Sequence, residues 1–271
     1  MKTAADFMTR APILVPSDTG LARCGRLMLD QQVRQLPVVD DHGKLMGLLT
    51  EDDLFRRGAM AGVDQDRWEP HDPDDKAVMA SDVMRTEIAP LDMGVSVLRV
   101  LNQLIEDELH VVVIQDGDHV RGIVTEHDAV IVASRVLPED LGLEDEATTS
   151  VVTVHMDTGT DEAWASMEEH GIRHLIVIDD QNRIRSVLSH QDLAVAFRGE
   201  QTYATVAEIP RLGVVHAAAP GVMANAAATQ MADLKVGCLP LADQQGHPVG
   251  ILTRLDIVHA LLLYLEDTLD A

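Results

Sequence analysis

Four times along this 271-residue chain a glycine or serine, two apolar residues and a hydroxyl residue lead to an aspartate three positions further on: Thr50 and Asp53, Thr125 and Asp128, Ser189 and Asp192, Thr253 and Asp256. Two kinds of chemistry suit that spacing. In one, each pair opens a helix as a capping box, with the hydroxyl accepting an amide hydrogen bond and the carboxylate accepting another, and no ligand is needed. In the other, the same helix start receives a ligand. Its amides and positive dipole suit a phosphate. The hydroxyl can donate to a phosphate oxygen, and the carboxylate can accept from two vicinal sugar hydroxyls.

The next residue separates the four pairs. Glu51 and Glu126 would repel an anion. Arg254 could bind one through its planar fork of donors, and His190 gains charge below about pH 6.5. Arg173 and His174 lie upstream of the third pair, although Arg34 holds a matching place in the first half. These residues predict that anions prefer the second half of the chain. A solvated helix position is the competing reading of Arg254.

The elements that must position these pairs are repeated as well. Gly47-Leu48-Leu49-Thr50-Glu51-Asp52-Asp53 returns as Gly122-Ile123-Val124-Thr125-Glu126-His127-Asp128, then as Ser186-Val187-Leu188-Ser189-His190-Gln191-Asp192, then as Gly250-Ile251-Leu252-Thr253-Arg254-Leu255-Asp256. The aspartates lie 75, 64 and 64 residues apart, a period that marks one supersecondary unit copied along the chain. Upstream of each copy is a short β-branched run and an Asp, Gly or Asn turn, as in Val33–Met46 and Ile172–Arg185, which reads as a hairpin. Apolar residues at helical spacing predict a helix before each hairpin, within 18–32, 95–107, 160–170 and 222–234. A second helix follows each Asp. A unit of roughly 55–65 residues is near the lower limit for an independent core, so units are expected to pair.

This pattern resembles tandem cystathionine-β-synthase (CBS) domains. Two units also start as that family often does, with Ala5-Asp6-Phe7-Met8-Thr9 and Ser81-Asp82-Val83-Met84-Arg85. The resemblance implies an α+β fold of four β-α-β-β-α repeats paired into two Bateman modules. It divides the chain into repeats at 1–57, 81–136, 150–199 and 200–271, with an insertion at 58–80 and a linker at 137–149. It further implies AMP, ADP, ATP or S-adenosylmethionine as a regulatory ligand, with the adenine in an apolar slot and no other cofactor. Ribose contacts would fall to Asp53, Asp128, Asp192 and Asp256, and phosphate or hydroxyl contacts to Thr50, Thr125, Ser189 and Thr253, aided by Arg254, His190 and Arg173. The chain departs from its own pattern at Ser186, which replaces a glycine, and at Val112 and Ile176, which stand where Pro37 and Pro240 do. Some pockets are therefore expected to be degenerate. The expectation is a cytoplasmic, energy-sensing homodimer that signals by module reorientation to a separate enzyme or transporter. A scaffold with degenerate pockets is the alternative.

Composition narrows the classes further. A formal charge of −24 with both halves acidic leaves no broad basic face for nucleic acid. Lysine is scarce, which hints at a salty cytoplasm or simple solubility. Aromatic residues are 3% of the chain, so its cores must be aliphatic. Cys24 and Cys238, both in apolar contexts, read as reduced core thiols. The apolar run Ala260–Leu265 is too short to span a bilayer. No metal-binding His pair, nucleophile elbow or phosphate loop occurs, and His170 and His174 read as a surface residue and a strand residue around a helix end at Gly171. No catalytic residue or metal ligand is assigned. Trp68 is expected to anchor the 58–80 loop. The apolar C-terminal helix (Ile257, Val258, Leu261, Leu262, Leu265) is expected to touch another module or subunit, or else to bury itself within its own unit.

Overall fold

The computed structural model describes residues 2–56, 78–107, 109–143, 146–196, 203–209 and 216–269. Trp68 and nearly all of the 58–80 insertion lie outside them. The first repeat contains β1 (Thr9–Arg10), β2 (Val15–Pro16), α1 (Leu21–Gln31), β3 (Gln35–Val39), β4 (Leu45–Thr50) and α2 (Glu51–Arg56). The second contains β5 (Leu91–Asp92), α3 (Val97–Glu106), β6 (Val111–Asp116), β7 (His119–Thr125) and α4 (Glu126–Val136). In the third are β8 (Thr153–His155), α5 (Thr160–His170), β9 (His174–Ile178), β10 (Ile184–Ser189) and α6 (His190–Ala196). The fourth holds α7 (Ala224–Leu234), β11 (Cys238–Ala242), β12 (Pro248–Thr253) and α8 (Arg254–Leu269). Among the described residues its opening strand is represented by one parallel bridge, between Ala218 and Leu241.

Each repeat runs strand, helix, antiparallel hairpin, helix. The opening strand pairs parallel to the first hairpin strand, as in Val15 with Val38 and Thr153 with Ile176. Three hairpin turns are closed by the same device. An aspartate carboxylate accepts two amides, His42 and Lys44 on Asp40, Gln181 and Arg183 on Asp179, and Gln245 and His247 on Asp243, all at 2.8–2.9 Å. These bonds to the charged form, foremost those from Lys44, Arg183 and His247, hold the three carboxyls below the ordinary carboxylate range.

The described residues form two compact units. One holds those up to Val100 together with Val111–Val124; the other holds Leu101–His110 and the chain from Thr125 on. Within each unit the repeats complete one another. In the first, the core of Leu21, Cys24, Met28, Leu36, Val38, Leu49 and Leu54 takes in Ala80 from the start of the second repeat. In the second, Leu175, Val177, Leu188 and Leu193 take in Val206 and Ile209 from the start of the fourth. Borrowed residues of this kind answer the shortage of core in so small a repeat.

The exchanged segments also pair as strands. Thr9 lies opposite Ile123, Arg85 opposite Leu48, and Thr148 opposite Ile251, at one register position of the repeat. That pairing explains the repeated glycine. A Cβ on Gly47 would sit 2.7 Å from the Arg85 carbonyl oxygen, and one on Gly122 would sit 2.8 Å from that of Thr9. In the third copy Ser186 is buried, and its hydroxyl has no hydrogen-bond partner among the described residues.

In the second unit, α8 packs on α7 and on α4, the closing helix of the second repeat, and α4 also packs on α7. The C-terminal helix thus touches both its own repeat and a helix from the other half of the sequence. Ala129 and Ala133 of α4 and Ala224, Ala227 and Ala228 of α7 are fully buried. The Asn225 amide donates to the carbonyls of Ser134 and Leu137, both at 3.0 Å, and closes the end of α4. Among the described residues no helix is long and apolar enough to cross a membrane, and no group of three or more His, Cys, Asp or Glu is arranged to hold a metal ion. Both cysteines are buried, and burial pushes the Cys24 thiol up to about 11 and the Cys238 thiol up to about 12.

Candidate functional site

The first three hydroxyl–aspartate pairs form the full capping box, at the start of α2, α4 and α6, and the fourth, at the start of α8, forms its carboxylate half. One carboxylate oxygen, Oδ2, accepts the backbone amide of the hydroxyl residue, at 3.0, 2.8, 2.8 and 2.6 Å in chain order. The same oxygen accepts the hydroxyl, at 2.6, 2.6, 2.5 and 2.9 Å. In the first three copies the Asp amide donates back to the hydroxyl oxygen. The first helical amide donates to a carbonyl at the foot of the hairpin in three copies, Glu51 to Arg34, His190 to Arg173 and Arg254 to Gly237. The hairpin fixes where the helix starts, and the box fixes the carboxylate.

This arrangement limits what the helix start can offer an anion. The first amide is committed to the chain in the first, third and fourth copies and the third amide in the first three, and the hydroxyl proton is committed to Oδ2. The carboxylate offers more. An ionised carboxylate has about four acceptor positions. The box occupies those of Oδ2 and leaves Oδ1, whose two positions suit the two hydroxyls of a vicinal diol.

The four acids differ around that oxygen. Asp128, Asp192 and Asp256 are half-buried, whereas Asp53 is only 8% exposed. Its Oδ1 accepts Nε of Arg85 at 3.0 Å. Asp256 accepts no hydrogen bond at Oδ1 among the described residues. Burial, and secondarily the charge of Glu146, raises its carboxyl above the ordinary value; the bonds from Thr253 and the nearby His259 oppose that shift. Glu146 in turn lies 2.7 Å from Nδ1 of His259.

The basic residues singled out in the sequence make contacts within the chain. Arg254 donates from Nε to the Val236 carbonyl at 3.1 Å and from Nη2 to that of Lys235 at 3.3 Å, so it closes the end of α7. The His190 ring packs against Trp164 with centroids 4.1 Å apart, and its Nε2 lies 3.8 Å from Glu168. Arg173 contributes its carbonyl to the start of α6. His170 is exposed at the end of α5, Gly171 caps that helix, and His174 opens β9. Sequence reasoning missed Arg85, Glu146, His259 and Trp164. For Arg85 a signal existed: it stands at the position that Thr9 holds in the first repeat.

The comparisons agree with the repeat. The sequence model of the CBS domain matches residues 4–59, 80–134, 143–199 and 206–263, and the chain belongs to that family. Its four CBS repeats are of the kind that pair into two Bateman modules. The chain is similar in structure to protein MJ1225 of Methanocaldococcus jannaschii, described as an archaeal homologue candidate of γ-AMPK, with a TM-score of 0.78 at 18% identity over 95% of this chain and 99% of that one. In sequence it is 28% identical over 139 residues to Hypoxic response protein 1 of Mycobacterium tuberculosis, which covers 51% of this chain and 87% of the relative. It is 44% identical over 55 residues to the chloroplastic CBS domain-containing protein CBSX2 of Arabidopsis thaliana, a match to 20% of this chain and only 23% of the plant protein's length.

Proposed function

We propose that this chain is a non-catalytic regulatory protein that binds an adenine nucleotide or another adenosyl compound at the box acids. The observation that carries the reading is the box at Asp256, where Thr253 occupies one carboxylate oxygen and leaves the other for a diol. Membership of the CBS family supports adenosine as the source of that diol. Asp256, Asp192 and Asp128 are the ribose acids in this reading, with Thr253, Ser189 and Thr125 positioning them. For Arg254 to meet a phosphate it must leave the two carbonyls at the end of α7, and His190 must leave Trp164. The reading therefore leans on the sugar more than on the anion. Its further parts are a cytoplasmic homodimer and a separate enzyme or transporter as the regulated partner. The signal is a change in module arrangement, which requires the ligand to bind one arrangement better than the other.

Thermal melting with AMP, ADP, ATP and S-adenosylmethionine tests the proposal. A ligand at a hundred times its dissociation constant adds about 2.7 kcal/mol of stability. Asp256→Ala should remove part of that gain while the free protein still folds. A melting temperature unmoved by all four compounds would leave the scaffold reading, which the Arg85–Asp53 pair already favours for the first repeat.

A further inference from the structure

We propose that the first of the four box acids is not a ligand group, because Arg85 fills the place of the ligand, and that the residue at this register position decides which acids are available. Asp53 has both oxygens engaged. Oδ2 takes the Thr50 amide and hydroxyl, and Oδ1 takes Nε of Arg85 at 3.0 Å. A diol needs two acceptor positions on Oδ1 and finds at most one. The Arg85 backbone is held at this place by pairing to β4: its amide donates to the Leu48 carbonyl, and the Leu48 amide donates to the Arg85 carbonyl, both at 2.9 Å. The result is visible in burial. Thr50 and Asp53 are each 8% exposed, while the other three pairs are half-buried.

The same register position in the second unit carries Thr148, which lies opposite Ile251; Ile251 stands five residues before Asp256, as Leu48 does before Asp53. Threonine brings no fork of donors. Asp256 keeps Oδ1 clear of hydrogen bonds among the described residues. One side chain from the paired repeat thus separates a closed acid from an open one. Exchanging the two side chains should exchange the two states.

The inference rests on the adenosyl reading, and titration calorimetry tests the two separately. The probes are adenosine, which has the diol and no charge, and AMP. Arg85→Thr should bind one more equivalent of adenosine than the unaltered chain, and Thr148→Arg should bind one fewer. If the unaltered chain binds adenosine or AMP and Arg85→Thr, folded by circular dichroism, gains no site, this inference is overturned and the adenosyl reading stands. Should Arg85→Thr not fold, Thr148→Arg decides, and retention of every site by that variant overturns the inference. No uptake of either probe by the unaltered chain or by Arg85→Thr overturns both.

Discussion

A carboxylate held partly out of water at neutral pH is a cost that a ligand can recover. Asp256 is such a group: burial and Glu146 raise its folded-state value above that of the unfolded chain. The native state then holds the proton more tightly. That contribution to stability is fully present below the ordinary carboxylate value and is lost as pH rises through the raised one. Asp256→Asn keeps an acceptor for the Thr253 amide and removes the charge. It should therefore melt at or above the unaltered chain at pH 7, with the difference shrinking toward pH 4, and it should lose the diol-binding gain. A melting temperature clearly below that of the unaltered chain at pH 7 would mean that the charge is needed for the fold rather than for a ligand. The turn acids Asp40, Asp179 and Asp243 have the opposite sign, since their lowered values give stability that is lost as pH falls. At this scale the sequence made the boxes visible, since hydroxyl and acid are three residues apart and bond locally. The partners of Arg254, Arg85 and His190 were not visible. Arg254 reaches carbonyls 18 and 19 residues away, and Arg85 an acid 32 residues away, distances at which no local spacing rule operates.

Periodicity was a good guide to the elements because the helices bury one face. The predicted windows 18–32, 95–107, 160–170 and 222–234 contain α1, α3, α5 and α7. How those helices stop was less legible. Three of them end on a left-handed residue whose amide turns back to the last carbonyls: Gln32 at φ 54°, Gly171 at φ 63° and Lys235 at φ 56°. Glycine is the usual residue there, and only the third repeat has it. A side chain in this conformation costs roughly 1–2 kcal/mol, against a glycine entropy cost of about 0.5–1 kcal/mol. Gln32→Gly should therefore gain about 0.5–1 kcal/mol in chemical unfolding. A loss would show that the Gln32 side chain has a role that the backbone does not explain. Gln32→Gly is the cleaner test, because the Lys235 carbonyl also receives Arg254.

Across the whole molecule, the four repeats are equal in sequence pattern and unequal in where their parts reside. The sequence favoured a break at 137–149, between the second and third repeats. The structure gathers α4 with α7 and α8, so the closing helix of the second repeat is built into the same compact unit as the third and fourth. Periodicity could not reveal this, because an apolar helix face announces that it will be covered and not by what. Alanines supply part of the physical reason. With Ala129 and Ala133 on one helix and Ala224, Ala227 and Ala228 on the other all buried, short side chains let α4 and α7 pack closely. Asn225 then locks the pair through two carbonyls at the end of α4. Asn225→Ala leaves the Ser134 and Leu137 carbonyls without that donor, a loss of about 1–3 kcal/mol for two bonds. The informative readout is hydrogen exchange. If the joint couples the repeats, amides of α4 should exchange faster although the substitution lies about ninety residues away in the fourth repeat. Faster exchange confined to α7 would mean that α4 is held by its own apolar face, and that Asn225 only decorates a contact the alanines already make.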